Sequence, residues 1–227
     1  MIPVPREEFQ QSLDDLRADV AEMGELVLGR LNDGLDALER GDDDLARAVI
    51  DGDDAVNDRY LRLESECIDL FALQQPVAGD LRLVAASFKI LTDLERVGDL
   101  ATNFGRYALG ADDARRVDVD VVNVGRDARD LVAAALDAYA AADADACHDI
   151  AARDDEIDAL CQAASERVVR DLIEREADDD PWDTEALMDD VSRLLLTIRD
   201  VERVADHGVN VAARTLYAVE SDPALVY

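Results

Sequence analysis

Residues 93–103 read DLERVGDLATN, and residues 200–210 read DVERVADHGVN. Six residues recur in register, and each copy lies 107 positions after the original, as Glu202 does after Glu95. Acidic residues are common in this chain, but chance would not also repeat an arginine, a valine and an asparagine at the same spacing. The repeat predicts a duplicated structural unit with two equivalent sites.

Apolar residues surround both copies at helical spacing. In the second half they step by three or four positions, through Leu187, Val191, Leu194, Ile198, Ala205, Val209, Ala212 and Leu216. A matching stripe passes through the first copy, from Leu81 to Thr102. This period is typical of amphipathic helices, and long helices joined by short turns form antiparallel bundles.

Turn signals divide the chain into six predicted helices. Gly41 ends the first, the aspartates of 42–44 offer a cap for the second, and Pro76 and Pro181 mark later turns. The predicted helices span about 6–40, 44–73, 77–109, 118–142, 143–176 and 184–220. We therefore predict an all-α fold of two repeated antiparallel three-helix bundles, covering residues 6–109 and 118–220.

The charge balance excludes whole classes of partner. The formal net charge is −31, with 54 acidic and 23 basic residues. Nucleic-acid binding needs clustered basic side chains, and an anionic membrane surface would repel this chain. A single lysine, Lys89, and an excess of aspartate are typical of halophilic proteins, in which most acids form a solvated surface.

Cysteine usage and hydropathy point to the cytoplasm. The three cysteines lack a CxxC pair, which predicts ordinary core thiols in a reducing compartment. The stretch MIPVPREEF lacks the features of a signal peptide, and no run approaches the ~18 apolar residues of a membrane span.

The repeated cassette concentrates carboxylates on one helix face. Glu95 and Asp99 are four residues apart and so share a face, as Glu202 and Asp206 do. Asn103 continues that face by one turn, and Asn210 occupies the equivalent place. Glu95 and Glu202 also fall beside the apolar stripe, where a carboxylate is costly unless it is paired or bound to a metal ion.

Hairpin geometry brings further acids to the same place. Folding around Pro76 sets Glu95 and Asp99 against Asp53, Asp54 and Asp58. Folding around Pro181 sets Glu202 and Asp206 against Asp154, Asp155 and Asp158. Clusters of oxygen ligands suit hard or borderline cations such as Mg²⁺, Mn²⁺, Ca²⁺ or iron.

Other interpretations of these residues stay open at this point. Arg96 and Arg203 could hold the cassette acids in surface ion pairs, which would make the chain a helical scaffold without metal. A metal-dependent iron oxidase is a further alternative, although neither cassette supplies the Glu-x-x-His pair of ferritin-like di-iron enzymes. The two histidines, His148 and His207, are predicted to be structural, and Trp182 is predicted to anchor a turn.

Two motifs together resemble the PhoU family of phosphate-uptake regulators. They are the duplicated D-x-E-R-V-[GA]-D-x₃-N cassette and the segment QPVAGDLR at residues 75–82. The resemblance implies two three-helix bundles with metal-binding ExxxD motifs, for iron, manganese, magnesium or zinc ions. The residues so implied are Glu95, Asp99, Glu202 and Asp206, supported by Asp54, Asp155, Asn103 and Asn210.

The resemblance also implies a function. The chain is expected to be a cytoplasmic regulator, not an enzyme, that restrains phosphate uptake by contacting a phosphate ABC transporter at the membrane. A sensor histidine kinase is a second implied partner, and a homodimer is the expected assembly. The second repeat lacks the QPVAGDLR segment and carries an acidic insertion at 176–183, so the sequence leaves open whether the two sites bind the same ion.

Overall fold

A computed structural model describes residues 6–73, 78–110, 120–176 and 184–225, and its regular elements in these ranges are all helical. The predicted turns at Pro76 and Pro181, the linker after Gly110 and Trp182 lie outside the described residues. The helices are α1 Arg6–Arg40, α2 Asp43–Asp51, α3 Asp54–Leu73, α4 Ala78–Leu109, α5 Val121–Ala141, α6 Ala144–Glu176 and α7 Thr184–Glu220.

The first helix shows how the sequence pattern fixes the structure. Its buried stripe repeats at steps of three or four residues and includes Phe9, Leu13, Leu16, Val20, Met23, Val27, Leu31 and Leu35. Gly41 then adopts a φ of 62°, a left-handed conformation that glycine takes without strain. The Asp42 carboxylate accepts hydrogen bonds from the backbone N–H groups of Asp44 and Leu45 and so caps α2.

The second predicted helix, 44–73, is divided into α2 and α3 at Gly52 and Asp53. At this division the Asp53 N–H donates to Ile50 O instead of Val49 O, and Arg30 of α1 donates to the Val49 carbonyl. The Arg30 guanidinium also lies against Gly52, where a Cβ atom on residue 52 would displace it. The corresponding helix of the second half, α6, is continuous.

The helices form two three-membered bundles, which confirms the predicted fold class. The first bundle contains α1, the α2–α3 pair and α4, and the second contains α5, α6 and α7. The bundles pack through α4 on α7 and α1 on α5, and one hydrophobic core runs through both. Fully buried side chains of this core come from both halves, including Leu94, Phe104, Leu131 and Tyr139.

Buried polar side chains join the two bundles along the α4–α7 contact, which we call the seam. Asn103 Nδ2 donates to Asp200 Oδ2 at 3.1 Å, and the equivalent Asn210 Nδ2 donates to Asp93 Oδ1 at 3.2 Å. These reciprocal bonds show that α4 and α7 are antiparallel and are related by an approximate two-fold axis. Asp200 is fully buried and Asp93 is 7% exposed, so both carboxylates depend on these partners.

Each seam carboxylate has further partners that the two repeats do not share. The Tyr107 hydroxyl donates to Asp200 Oδ2 at 2.8 Å, and burial, followed by this bond, raises the pKa of Tyr107 to about 12. On the other side, His207 Nδ1 lies 2.9 Å from Asp93 Oδ1. His207 is thus a buried structural residue, as predicted.

Two further expectations concern the thiols and the membrane. Cys67, Cys147 and Cys161 are free and buried, as predicted for core residues. Burial is the main cause that raises their pKa values, to about 12, 11 and 12 respectively. Within the described ranges, no helix combines the length and the hydropathy that crossing a bilayer requires.

Candidate functional site

The first repeat brings an aspartate of the α2–α3 junction next to the α4 cassette. The pKa of Asp99 is raised by partial burial and then by the charge of Asp53. The pKa of Glu95 is raised by partial burial and then by the charge of Asp99, with a smaller contribution from Asp53. Asp53 and Asp99 also line the same cavity, which agrees with their predicted approach, and with Glu95 they form an acidic cluster.

Asp53 already has hydrogen-bond donors on both of its oxygens. Thr102 Oγ1 of α4 donates to Asp53 Oδ1 at 3.0 Å, and Asn57 Nδ2 of α3 donates to Asp53 Oδ2 at 3.1 Å. These bonds satisfy the carboxylate without an ion. The central aspartate of the first repeat is therefore satisfied by protein donors alone.

The second repeat gathers more acid and has fewer donors. Burial, and then the charges of Asp158, Asp206, Asp155 and Glu202, raise the pKa of Asp154 to about 7. Partial burial and the neighbouring carboxylates also raise the pKa values of Asp158 and Glu202. Five carboxylates of α6 and α7 therefore act on one another here.

Two residue differences explain the contrast. Asp158 stands where the first repeat has Asn57, and Val209 stands where it has Thr102. Both donors to the central aspartate are thereby lost, and Asp154 Oδ1 is buried without a hydrogen-bond partner among the described residues. An unsatisfied buried carboxylate oxygen among other acids fits a bound cation, so the second repeat fits the implied metal better than the first.

Cation binding at this cluster requires side-chain rotation. In the part of the chain that the structure describes, no three His, Cys, Asp or Glu side chains lie close enough together to hold a metal ion. Asp158, Glu202 and Asp206 are exposed and have room to turn toward Asp154. Of these, Glu202 and Asp206 are the predicted ExxxD pair.

The predicted supporting residues take other positions. Asp54 and Asp155 are exposed, and Asp53 and Asp154, one residue earlier, are the more buried members of each pair. Asn103 and Asn210 donate to the seam carboxylates, and Asn103 Oδ1 also accepts from Arg106 Nη1 at 2.9 Å. The structure thus gives both asparagines a role in joining the repeats instead of extending the acidic clusters.

The sequence also carries signals for four aspartates outside the set implied by the resemblance. Asp53 and Asp154 each lie three positions before a buried apolar residue, Val56 and Ile157, and so share its helix face. Asp93 and Asp200 belong to the repeated cassette and recur with the asparagine ten residues later. The hydrogen bonds of these aspartates to Asn210 and Asn103 depend on how the two bundles pack. The sequence pattern of a single helix does not predict that packing.

We expect the stability of the chelator-treated protein to fall as the pH rises from 3.8 to about 7. The folded state holds the Asp154 proton more tightly than the unfolded chain does, so its stabilising effect is complete at low pH and is lost as the pH rises through the folded-state pKa. Asp154→Asn should reduce this fall. Urea unfolding across the pH range, at constant salt, measures it.

Asp127→Asn is the matched control, because Asp127 is exposed on α5. It should leave the pH dependence of unfolding unchanged. An Asp154→Asn profile as steep as that of the parent chain would show that Asp154 does not titrate in this way.

Comparison with known proteins gives a consistent family match. A family model described as the PhoU domain matches the chain twice, at residues 20–108 and 121–215. A phosphate-specific transport system accessory protein PhoU homolog of Pseudomonas aeruginosa is 32% identical over 94% of this chain and 86% of its own length. The PhoU accessory protein of Escherichia coli K12 is 31% identical over the same shares.

Solved structures agree with the sequence comparison. The crystal structure of PhoU from Pseudomonas aeruginosa has a TM-score of 0.84 and 32% identity, and the match covers 94% of this chain and 100% of that one. The PhoU crystal structure from Streptococcus pneumoniae, described as a phosphate transport system regulatory protein, has a TM-score of 0.85 and 26% identity, over 94% and 98%.

Proposed function

This chain belongs to the PhoU domain family, and from that premise we propose that it restrains phosphate uptake through contact with a phosphate ABC transporter. The observation that carries the proposal is the paired family match, which occupies both bundles and extends over nearly the whole chain. The relatives are described as accessory proteins of a phosphate-specific transport system, which is a regulatory role and not an enzymatic one.

Exposed apolar side chains supply a surface for the partner. Leu81 and Met188 occupy equivalent positions near the starts of α4 and α7, and are 44% and 46% exposed. Ile68 and Val169 are the equivalent pair on the preceding helices, and are 52% and 44% exposed. Large apolar groups on so acidic a surface favour contact with another protein. We call Leu81 with Ile68, and Met188 with Val169, the two apolar tips.

The arrangement of the tips favours a partner with two equivalent binding sites. Because α4 and α7 run in opposite directions at the seam, the tips lie at opposite ends of this helix pair. A two-fold symmetric partner presents two copies of the same surface. A transporter with such symmetry would match the duplication.

The remaining parts of the proposal follow from the same premise. The regulator acts in the cytoplasm as a homodimer, responds to a metal ion held at the ExxxD motifs, and has a sensor histidine kinase as a second partner. Among the ExxxD residues, Glu202 and Asp206 with Asp154 form the better cation site, and Glu95 and Asp99 the poorer one. The metal would neutralise repulsion between carboxylates and so fix the α6–α7 surface.

The test is phosphate uptake in cells of the source organism that lack this chain. Uptake of radiolabelled phosphate should stay high in phosphate-replete medium, whereas cells with the chain should reduce it. Restoring the full chain should restore the reduction. Uptake that falls normally in replete medium without the chain would overturn the proposed function.

The apolar tips are tested in the same cells. We expect Leu81→Gln combined with Met188→Gln to behave like loss of the chain and to abolish co-purification with the transporter. Leu26→Gln combined with Leu196→Gln is the matched control, since these leucines are 38% and 39% exposed but lie away from the tips. Equal effects of the two pairs would refute the tips as the contact surface.

A further inference from the structure

A cavity of about 280 Å³ at the seam combines arginines from both repeats. Arg96 and Arg106 of α4 line it together with Arg203 of α7. Asp53 and Asp99 also line it, and Asp200 lies beside Arg203, so three arginines meet three aspartates here. Three arginines at one cavity contrast with a chain whose net charge is −31.

The arginines of this cavity are less neutralised than others in the chain. Arg126 contacts both Asp36 and Glu39, and Arg59 contacts both Asp19 and Glu22. By contrast, Arg96 and Arg106 form no ion pair with a described carboxylate, although the charge of Arg96 partly offsets the raised pKa of Glu95 and that of Arg106 the raised pKa of Asp99. Arg106 instead donates to the neutral Asn103 Oδ1 at 2.9 Å.

Arg203 is the third cation and comes from the opposite repeat. Its Nη1 lies 3.5 Å from Asp200 Oδ1. The Asp200 carboxylate already accepts hydrogen bonds from the side chains of Asn103, Tyr107 and Arg199. Arg203 therefore keeps hydrogen-bond donors for a ligand. Guanidinium groups bind oxyanions through pairs of N–H donors, which suits a tetrahedral anion at this place.

We propose that this cavity binds inorganic phosphate, held by Arg96, Arg106 and Arg203. This inference rests on the proposed function, because it makes phosphate itself the signal that the regulator reads. It also assigns the two copies of the cassette different ligands. Ala213 stands where the first repeat has Arg106, so the second repeat lacks that cation and keeps its excess of acid.

The carboxylates in the cavity give a basis for selectivity. Asp53 is occupied by Thr102 and Asn57, whereas Asp99 is exposed and accepts no hydrogen bond from a described side chain. At neutral pH inorganic phosphate still carries a proton, and its P–OH group can donate to Asp99. Sulfate has no such proton and would bring an unshielded oxygen against the carboxylate, so the cavity should prefer phosphate.

Equilibrium dialysis of the full chain against radiolabelled phosphate tests the proposal. The protein is first treated with a chelator and kept at constant potassium chloride. We expect one saturable site per chain, and Arg96→Gln with Arg106→Gln should weaken binding at least about tenfold. Arg40→Gln with Arg47→Gln removes the same charge outside the cavity and should leave the affinity unchanged.

Competition with sulfate tests the role of Asp99. Excess sulfate should displace phosphate poorly from the parent chain and much better from the Asp99→Asn variant. Unfolding curves must show that every variant is folded as the parent is. The proposal is overturned by absent saturable binding, by equal losses in both arginine pairs, by equal competition from sulfate in the parent chain, or by binding that appears only with an added divalent cation.

The uptake assay separates this inference from the proposed function. If the purified chain binds no phosphate but cells without it still fail to reduce uptake, the cavity assignment falls and the regulatory function stands. If phosphate binds as expected but loss of the chain leaves uptake control intact, the regulatory function falls and the cavity assignment stands.

Discussion

Asp200→Ala is expected to destabilise the fold by about 3 kcal/mol. The Asp200 carboxylate is fully buried and accepts hydrogen bonds from Asn103 and Tyr107 of the first repeat. Removing it leaves an amide and a hydroxyl at the seam without their acceptor, and hydrogen bonds to a charged group contribute about 1.5–3 kcal/mol each. The ion pairs to Arg199 and Arg203 add little, because both arginines are about half exposed.

Urea unfolding of the parent chain and the variant, at constant salt and pH, measures this loss. Asp127→Ala is the control, since it makes the same change at an exposed position of α5. Both replacements gain similar helix propensity, so the difference between them reports the seam alone. A loss no greater than that of Asp127→Ala would show that these hydrogen bonds do not hold the repeats together.

A divalent cation is expected to raise the unfolding temperature of the chelator-treated protein by roughly 5–10 °C. An ion at about 100 times its dissociation constant stabilises a fold by about 2.7 kcal/mol, and for a chain of this size each kcal/mol shifts the midpoint by about 2–4 °C. The physical reason is that the ion neutralises the acids around Asp154, whose Oδ1 is buried and has no hydrogen-bond partner in the described part of the chain.

The double variant Glu202→Gln, Asp206→Asn should lose most of this rise and most of the metal found by elemental analysis. The matched pair Glu95→Gln, Asp99→Asn makes the same change in the first repeat and should lose less. Because either pair also relieves repulsion without metal, the quantity to compare is the rise caused by the ion in each variant. Equal losses would mean that both repeats bind the cation alike, and no rise in the parent chain would remove the metal from the proposal.

The sequence was sufficient for the fold because its signals were local. Gly41, the caps at 42–44 and the apolar steps of α1 and α7 determine where helices begin, end and turn their apolar faces. The division of α2 from α3 escaped prediction, and at this division Arg30 reaches the Val49 carbonyl from another helix. Such a contact exists only after the helices have packed.

The sequence predicted where the acidic residues of the candidate site lie. It did not predict which residues join the two bundles or how the two repeats differ. The i, i+4 spacing placed Glu95 with Asp99, and the hairpin register brought Asp53 toward them. The seam bonds of Asn103 and Asn210 depend on the packing of α4 against α7. Helical periodicity does not predict which residues of two helices meet. The contrast between the repeats was visible as Asn57 against Asp158 and Thr102 against Val209, but its meaning required knowing that these residues surround Asp53 and Asp154.

The reciprocal bonds at the seam suggest how such a chain originated. Asn103 reaches Asp200 while Asn210 reaches Asp93, which is the isologous contact that two identical subunits make when each offers the other the same patch. A single ancestral bundle that dimerised in this way, followed by gene fusion, would produce the present molecule. Fusion frees each copy to change independently, so Tyr107 and His207 could arise on one side only, as could the extra acid beside Asp154.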